Sequence, residues 1–111
     1  MDTHADHQVA SMLAIRAYMG LKDKRPQLFF FEVNTGSQSQ GFFPNTYVDV
    51  SEVLEKKQAA LTTHKSQHGD FVWKNHHEIV ARFRGREAGV LAAEAFVRLN
   101  TNPAALLPPG I

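Results

Sequence analysis

The feature that most constrains the fold is one continuous apolar run, from Gln27 to Val33, which reads Gln-Leu-Phe-Phe-Phe-Glu-Val. The run has the length of a strand. Its lack of polar alternation is typical of strands that are buried on both faces, as in the parallel sheets of α/β proteins. We therefore expect Phe29, Phe30 and Phe31 to lie in the core. Hydrophobic residues make up 43% of the chain and charged residues 21%, which excludes wholesale disorder.

The segments on either side of this run have helical periodicity. Asp6 to Met19 is predicted to be a helix, with Val9, Met12 and Leu13 on one buried stripe. A second helix is expected from about Ser51 to Ser66, with its first turn capped by Asp49 together with Glu52, or by Ser51 alone. This order of elements predicts an α/β fold with an open sheet and flanking helices, although it is short for a doubly wound sheet.

A third helix is predicted to begin at Asn75, because Glu78 stands three residues later, at the spacing of a capping box. Gly85 and Gly89 are four residues apart in this helix, which indicates close packing against another backbone. The segment Ala95 to Leu99 is either the last turn of the helix or a short final strand, and the pattern does not separate the two. The chain is expected to form one folded unit over residues 1–100, followed by a proline-rich tail over residues 101–111.

The charge pattern argues against several classes of partner. The formal net charge is +1 and basic residues form no long run, so nucleic acid and anionic membranes are not expected as partners. There are no cysteines, which excludes disulfides and a cysteine-based zinc site and fits a cytoplasmic protein. The polar first residues do not resemble a signal peptide, and no apolar stretch is long enough to cross a membrane.

The pattern His4-Ala5-Asp6-His7, at the predicted start of the first helix, is the strongest candidate for chemistry. Imidazoles three residues apart on a helical turn lie on nearly the same side. One of them could bind zinc and the other could donate to a developing oxyanion, while the carboxylate between them fixes a ring tautomer. The simpler interpretation is an exposed segment in which Asp6 caps the helix and the histidines have no chemical role.

The segment His4 to Ala10 resembles the His-Pro-Asp-His motif of the PIG-L/LmbE-like zinc-dependent N-deacetylases. Two later stretches, 47–67 and 82–96, are similar to the same family in order and interval. The resemblance implies a partial Rossmann-like scaffold, the C-terminal half of the family domain. It also implies hydrolysis of N-acetyl groups from N-acetylglucosamine-type substrates.

Carried over to this sequence, the resemblance implies that His7 is a zinc ligand. It implies that His4 polarises the amide carbonyl and that Asp6 orients His4. Ala5 stands where the family usually has proline. The family's other motif, of the His-Pro-Asp-Asp-Glu type, supplies two further ligands and the general base, and it does not occur here. The zinc site is therefore expected to be incomplete.

An incomplete zinc site leaves two interpretations of the chain. In the first, the chain is inactive alone and is completed by an N-terminal half or by a second copy. In the second, it is a non-catalytic dimerising or partner-binding module derived from the deacetylase fold.

Other residues are weaker candidates. Phe42 and Phe43 could line a substrate pocket or equally fill a gap beside the strand. His64 and Gln67 belong to a family-like stretch and are candidates for a pocket rim, although exposed helix-end positions explain them as well. The arginines that alternate near the end of the third helix could bind phosphate, but solvated heads on a packed helix are the commoner arrangement. They are Arg82, Arg84 and Arg86.

Overall fold

A computed structural model describes residues 2–22, 25–33 and 38–99. Within these residues the chain contains four α-helices and three strands, so the fold is mixed α and β. The expected tail, residues 101–111, lies outside the described residues. The helices are α1 (Ala5–Gly20), α2 (Leu54–Thr62), α3 (Gly69–Val72) and α4 (Glu78–Ala88), and the strands are β1 (Phe29–Phe31), β2 (Thr46–Asp49) and β3 (Ala93–Arg98).

The three strands form one open sheet in the order β1-β3-β2, and both ladders are antiparallel. Phe31 lies opposite Phe96, and Tyr47 lies opposite Ala95. Ala95 to Leu99, which the sequence left open between helix and strand, belongs to the central strand β3 up to Arg98. The expected parallel pairing is wrong for these strands, because an apolar run specifies burial and carries no information about strand direction.

Helix α4 continues from α3 through a π-helical segment, Trp73–His77, so one helical run extends from residue 69 to residue 88. The predicted capping box at Asn75 is therefore wrong: the Asn75 side chain donates to the backbone oxygen of Phe71, within the run. Helix α2 is shorter than predicted and is flanked by two 3₁₀ turns, Ser51–Val53 and Lys65–Gln67. The expected side-chain cap is wrong, because the N-cap residues are Val50 and Val53, and neither the turn Ser51–Val53 nor α2 has a side-chain cap hydrogen bond. Asp49 still bonds locally, since its Oδ1 accepts from the backbone N of Ser51 at 2.9 Å.

The core is small and lies between β3 and the helical run. Its buried apolar members in the described residues are Val50, Trp73, Ala81, Ala92, Ala93 and Ala95. Four of these six are alanines, so the helix and the strand approach closely and little large apolar surface is removed from water. Gly85 faces the backbone of Leu91 and Ala92, just before β3, where a Cβ would lie 2.7 Å from the oxygen of Leu91.

The largest apolar side chains lie outside this core. Phe31 is 69% exposed and Leu13 is 63% exposed, and Val9 and Met12 on α1 are also exposed. The expectation that Phe29 and Phe31 are core residues is wrong, because β1 is an edge strand paired only with β3 in the described sheet. The expected buried stripe on α1 is also wrong: no residue of α1 is buried.

Candidate functional site

The candidate site begins where the chain turns into α1. His4 is the N-cap residue, and its Nδ1 accepts from the backbone N of Asp6 at 3.2 Å. A backbone N–H can only donate, so Nδ1 carries no proton and the neutral ring carries its proton on Nε2. This cap leaves a side-chain N–H donor of His4 free to meet a ligand oxygen.

Asp2 lies beside this cap, because the turn brings it back onto the first residues of α1. Its Oδ1 accepts from the backbone N of His4 at 2.7 Å and from Nε2 of Gln38 at 3.2 Å. Its Oδ2 is buried and lies 3.1 Å from Nδ1 of His7. The backbone N of Thr3 donates to the oxygen of Gln38 at 3.1 Å, and Asp2 forms a bridge with Ser39. The segment 38–39 therefore fixes Asp2 against His7.

The surroundings of Asp2 keep its carboxyl group ionised. Burial raises its pKa, but hydrogen bonds from the backbone of His4 and from the side chains of His7 and Gln38 outweigh burial, so the pKa lies below its usual value. An ionised carboxylate next to an imidazole is a strong hydrogen-bond acceptor.

The two histidines of the motif lie side by side. Their rings stack with centroids 4.6 Å apart and an interplanar angle of 24°. The carboxylate of Asp6 is highly exposed, and its Oδ2 lies 4.0 Å from Nδ1 of His4. The contact that holds the ring of His4 is thus the backbone N–H of Asp6, while the carboxylate of Asp6 remains available to other groups.

A cavity of about 570 Å³ opens between α1 and β1, with Asp2 and His7 on its wall. Most of the remaining lining is apolar, contributed by small residues of α1, the aromatic side chains of β1 and Phe42 from the loop. An apolar cavity with a few polar groups on one wall is the usual form of a small-molecule site. The predicted site residue Phe42 is therefore brought together with His7.

The other predicted pocket residues lie elsewhere. Phe43 is 83% exposed and is not among the described residues that line this cavity. His64 and Gln67 are exposed at the 3₁₀ turn after α2, and they are not part of the described cavity wall either. Their proposed place at a substrate rim remains a prediction.

The described residues fit one position of a zinc site. His7 has a carboxylate behind Nδ1, the arrangement that leaves Nε2 of a histidine available to a metal. No group of three histidine, aspartate or glutamate side chains comes together to hold a metal within residues 2–22, 25–33 and 38–99. A catalytic zinc site usually has three protein ligands, so the others would come from outside this set.

A second polar cluster supports the cavity from the side of α4. Arg84 is 8% exposed and binds Glu32 with two hydrogen bonds, of 2.7 and 2.8 Å. Its Nη1 donates to Glu87 at 2.7 Å, and its guanidinium carbon lies 5.4 Å from the ring centroid of Phe42. The expectation of a solvated head is wrong for Arg84, because Glu32 draws it into the interior. These contacts connect α4 to the end of β1 and to the cavity wall.

Two pairs of contacts at the site are not predicted by the sequence. Asp2 and Gln38 are 36 positions apart, and Arg84 and Glu32 are 52 apart, so no local pattern connects them. The position of Asp2 two residues before His4 was the available signal, since an aspartate just before a helix start often bonds nearby backbone N–H groups.

Comparison with known proteins identifies a relative of this chain. The chain is 34% identical over 101 residues to a diacetylchitobiose deacetylase from Thermococcus kodakarensis. The chain is related to a deacetylase. The alignment covers 82% of this chain, which spans 38% of the length of that relative. No protein-family model and no solved structure matches the chain.

In the described part of the chain, every helix is too short or too polar to cross a lipid bilayer.

A second cavity, of about 360 Å³, lies between the sheet and α4, and His77 is on its wall. Burial lowers the pKa of His77, and the positive charge of Lys57 lowers it further. When the pH falls below the ordinary histidine pKa of 6.5, His77 binds a proton in the unfolded chain but stays neutral in the folded chain. Protonation therefore favours the unfolded state, and the free energy of unfolding decreases as pH falls. We expect His77→Gln to reduce the loss of stability between neutral and mildly acidic pH, measured by urea denaturation. Equal acid dependence in both proteins would contradict this.

Proposed function

We propose that this chain is part of a zinc-dependent N-deacetylase that acts on N-acetylated amino sugars. The observation that carries the proposal is the arrangement of His4 and His7: stacked rings, one with a free Nε2–H donor and one backed by a buried carboxylate. The relationship to a diacetylchitobiose deacetylase supports the same class of reaction. We also propose that the chain forms the C-terminal part of a Rossmann-like scaffold of the deacetylase family.

His7 would contribute Nε2 as one zinc ligand. When bound, zinc supplies a Lewis acid at the amide and lowers the pKa of a water molecule toward neutrality. His4 would donate its Nε2–H to the amide oxygen, where negative charge develops as the carbonyl carbon becomes tetrahedral. Asp6 would orient that ring through its backbone N–H, which donates to Nδ1 of His4 at 3.2 Å.

The proposed function requires a partner segment that completes the zinc site. The remaining ligands and the general base would come from a segment equivalent to the part of the relative that this chain does not span, whether joined to it or separate. The exposed apolar residues of α1 and β1, with Leu13 63% and Phe31 69% exposed, offer a surface on which such a segment would pack.

The experiment is complementation. The chain is co-expressed with the segment of the Thermococcus enzyme that it does not span, and acetate release from N,N′-diacetylchitobiose is followed with zinc present. We expect activity in the assembly, a loss of about 10²–10³-fold in kcat for His4→Ala, and loss of zinc binding for His7→Ala. His76→Ala, which removes an imidazole from the helical run, is the matched control and should retain both. An assembly that forms and binds zinc but releases no acetate would overturn the deacetylase assignment.

The exposed apolar surface also favours a second candidate function, a non-catalytic dimerising or partner-binding module. Sedimentation velocity of the chain alone separates the two. Self-association that weakens in Leu13→Glu would support the module. A monomer at all concentrations, combined with active complementation, would exclude it.

A further inference from the structure

His7 has two neighbours that compete for its Nδ1. Oδ2 of Asp2 lies at 3.1 Å, and Nε2 of Gln38 lies at 3.3 Å. A carboxylate oxygen can only accept, so a hydrogen bond to Asp2 would require a proton on Nδ1 and would leave Nε2 of the neutral ring unprotonated. An amide nitrogen can only donate, so a hydrogen bond from Gln38 requires the opposite tautomer, with the proton on Nε2.

Of the two interactions at Nδ1 of His7, the one with the carboxylate of Asp2 is expected to be the more favourable. A hydrogen bond to an ionised acceptor is about twice as strong as one between neutral groups. Oδ2 of Asp2 is buried and accepts no well-aligned hydrogen bond within the described residues, while Nδ1 of His7 lies 3.1 Å away. A proton on Nδ1 therefore places a donor beside this charged oxygen, and the opposite tautomer would take that donor away. The side chain of Gln38 keeps a hydrogen bond even without His7, because its Nε2 donates to Oδ1 of Asp2 at 3.2 Å.

We propose that Asp2 is a positioning residue for His7: it holds the ring proton on Nδ1, so that Nε2 is free to bind a metal ion. In this arrangement Gln38 and the backbone N of His4 fix the carboxylate through Oδ1, and Oδ2 fixes the imidazole. The metal-binding part of this inference rests on the proposed function. The tautomer of His7 does not depend on it.

The side chain of Asp2 is 13% exposed, which protects the pair from competition with water. One substitution is expected to invert the arrangement. In Asp2→Asn, the single oxygen is needed by the backbone N of His4, so the amide group faces Nδ1 of His7 and donates to it. The ring proton then moves to Nε2, and the nitrogen that would bind a metal is blocked.

The test is a long-range ¹H–¹⁵N spectrum of the metal-free chain at about pH 8, above the usual histidine pKa of about 6.5. The signals of His7 are assigned by their absence in His7→Gln. We expect wild-type His7 to be protonated on Nδ1 and the Asp2→Asn variant to be protonated on Nε2. Asp70→Asn, the same change of charge in the first turn of α3, is the matched control and should leave His7 unchanged. Circular dichroism verifies that each variant is folded.

Zinc titration of the complemented assembly provides the second readout, in which Asp2→Asn should weaken zinc binding by about 10–100-fold. A wild-type His7 protonated on Nε2, or a tautomer that Asp2→Asn leaves unchanged, would overturn the proposal. An assembly that binds no zinc, although Asp2 controls the tautomer as expected, would instead refute the proposed zinc site.

Discussion

Replacing Gly85 by alanine is expected to lower the free energy of unfolding by about 2 kcal/mol or more. A Cβ at this position would lie 2.7 Å from the backbone oxygen of Leu91 and 2.8 Å from the Cα and N of Ala92. These are backbone atoms of the segment just before β3, so no side chain can rotate to make room. Alanine gains about 1 kcal/mol of helix propensity over glycine, and the overlap must exceed this gain for the variant to be less stable.

The matched control is Gly20→Ala at the last residue of α1, where a Cβ would meet nothing within 4 Å. We expect this change to be neutral or to stabilise the chain by less than about 1 kcal/mol. Both variants are compared with the parent by chemical denaturation followed by circular dichroism. Equal stabilities for the two alanine variants would show that α4 can move away from β3 at no cost, which would contradict close packing at Gly85.

The glycine pattern shows what the sequence predicts well. Two glycines four apart indicated close packing in the third helix, and Gly85 confirms it. Gly89 has a different role: it ends α4 with φ of +73°, in the left-handed region that glycine adopts most easily. The spacing identified both positions, but only the helix boundary distinguishes a packing glycine from a terminating one.

The sheet shows where prediction from sequence ends. The apolar run predicts the strand at Phe29–Phe31, but the direction and edge position of this strand depend on pairing with β3, more than 60 residues later. Burial of an apolar residue also depends on what covers it, and Phe31 remains exposed because nothing in the described residues packs over it.

Only the part of the candidate site that is local in sequence is predicted from the sequence. His4 and His7 are close in sequence, so their spacing predicted that their side chains meet. Asp2, Gln38 and the pair of Arg84 with Glu32 required the folded chain, because each contact joins segments that the sequence does not relate.

The second large effect is expected for Arg84→Met, at about 3 kcal/mol of lost stability. The methionine keeps much of the apolar volume but removes three hydrogen bonds, two to Glu32 and one to Glu87. The side chain of Glu32 is only 12% exposed, so its carboxylate would be left in the interior without its partner. Most of the expected loss comes from this unpaired charge.

Arg82→Met is the matched control. It is on the same helix and makes an ion pair with Glu78 at 3.0 Å, but the side chain of Arg82 is 49% exposed. An exposed pair four residues apart contributes about 0.3–0.5 kcal/mol, so this variant should remain close to the parent in chemical denaturation. Similar losses for the two variants would mean that burial does not distinguish them.

A double variant, Arg84→Met with Glu32→Met, tests the cause of the loss. If an unpaired carboxylate destabilises the single variant, removing Glu32 as well should restore part of the stability, because well-packed apolar groups can replace a buried ion pair at little cost. Glu87 is more exposed and keeps its hydrogen bond from the hydroxyl of Tyr47 at 3.2 Å. A double variant no more stable than Arg84→Met would instead indicate that the arginine stabilises the fold mainly through its packing against Phe42 and Phe83.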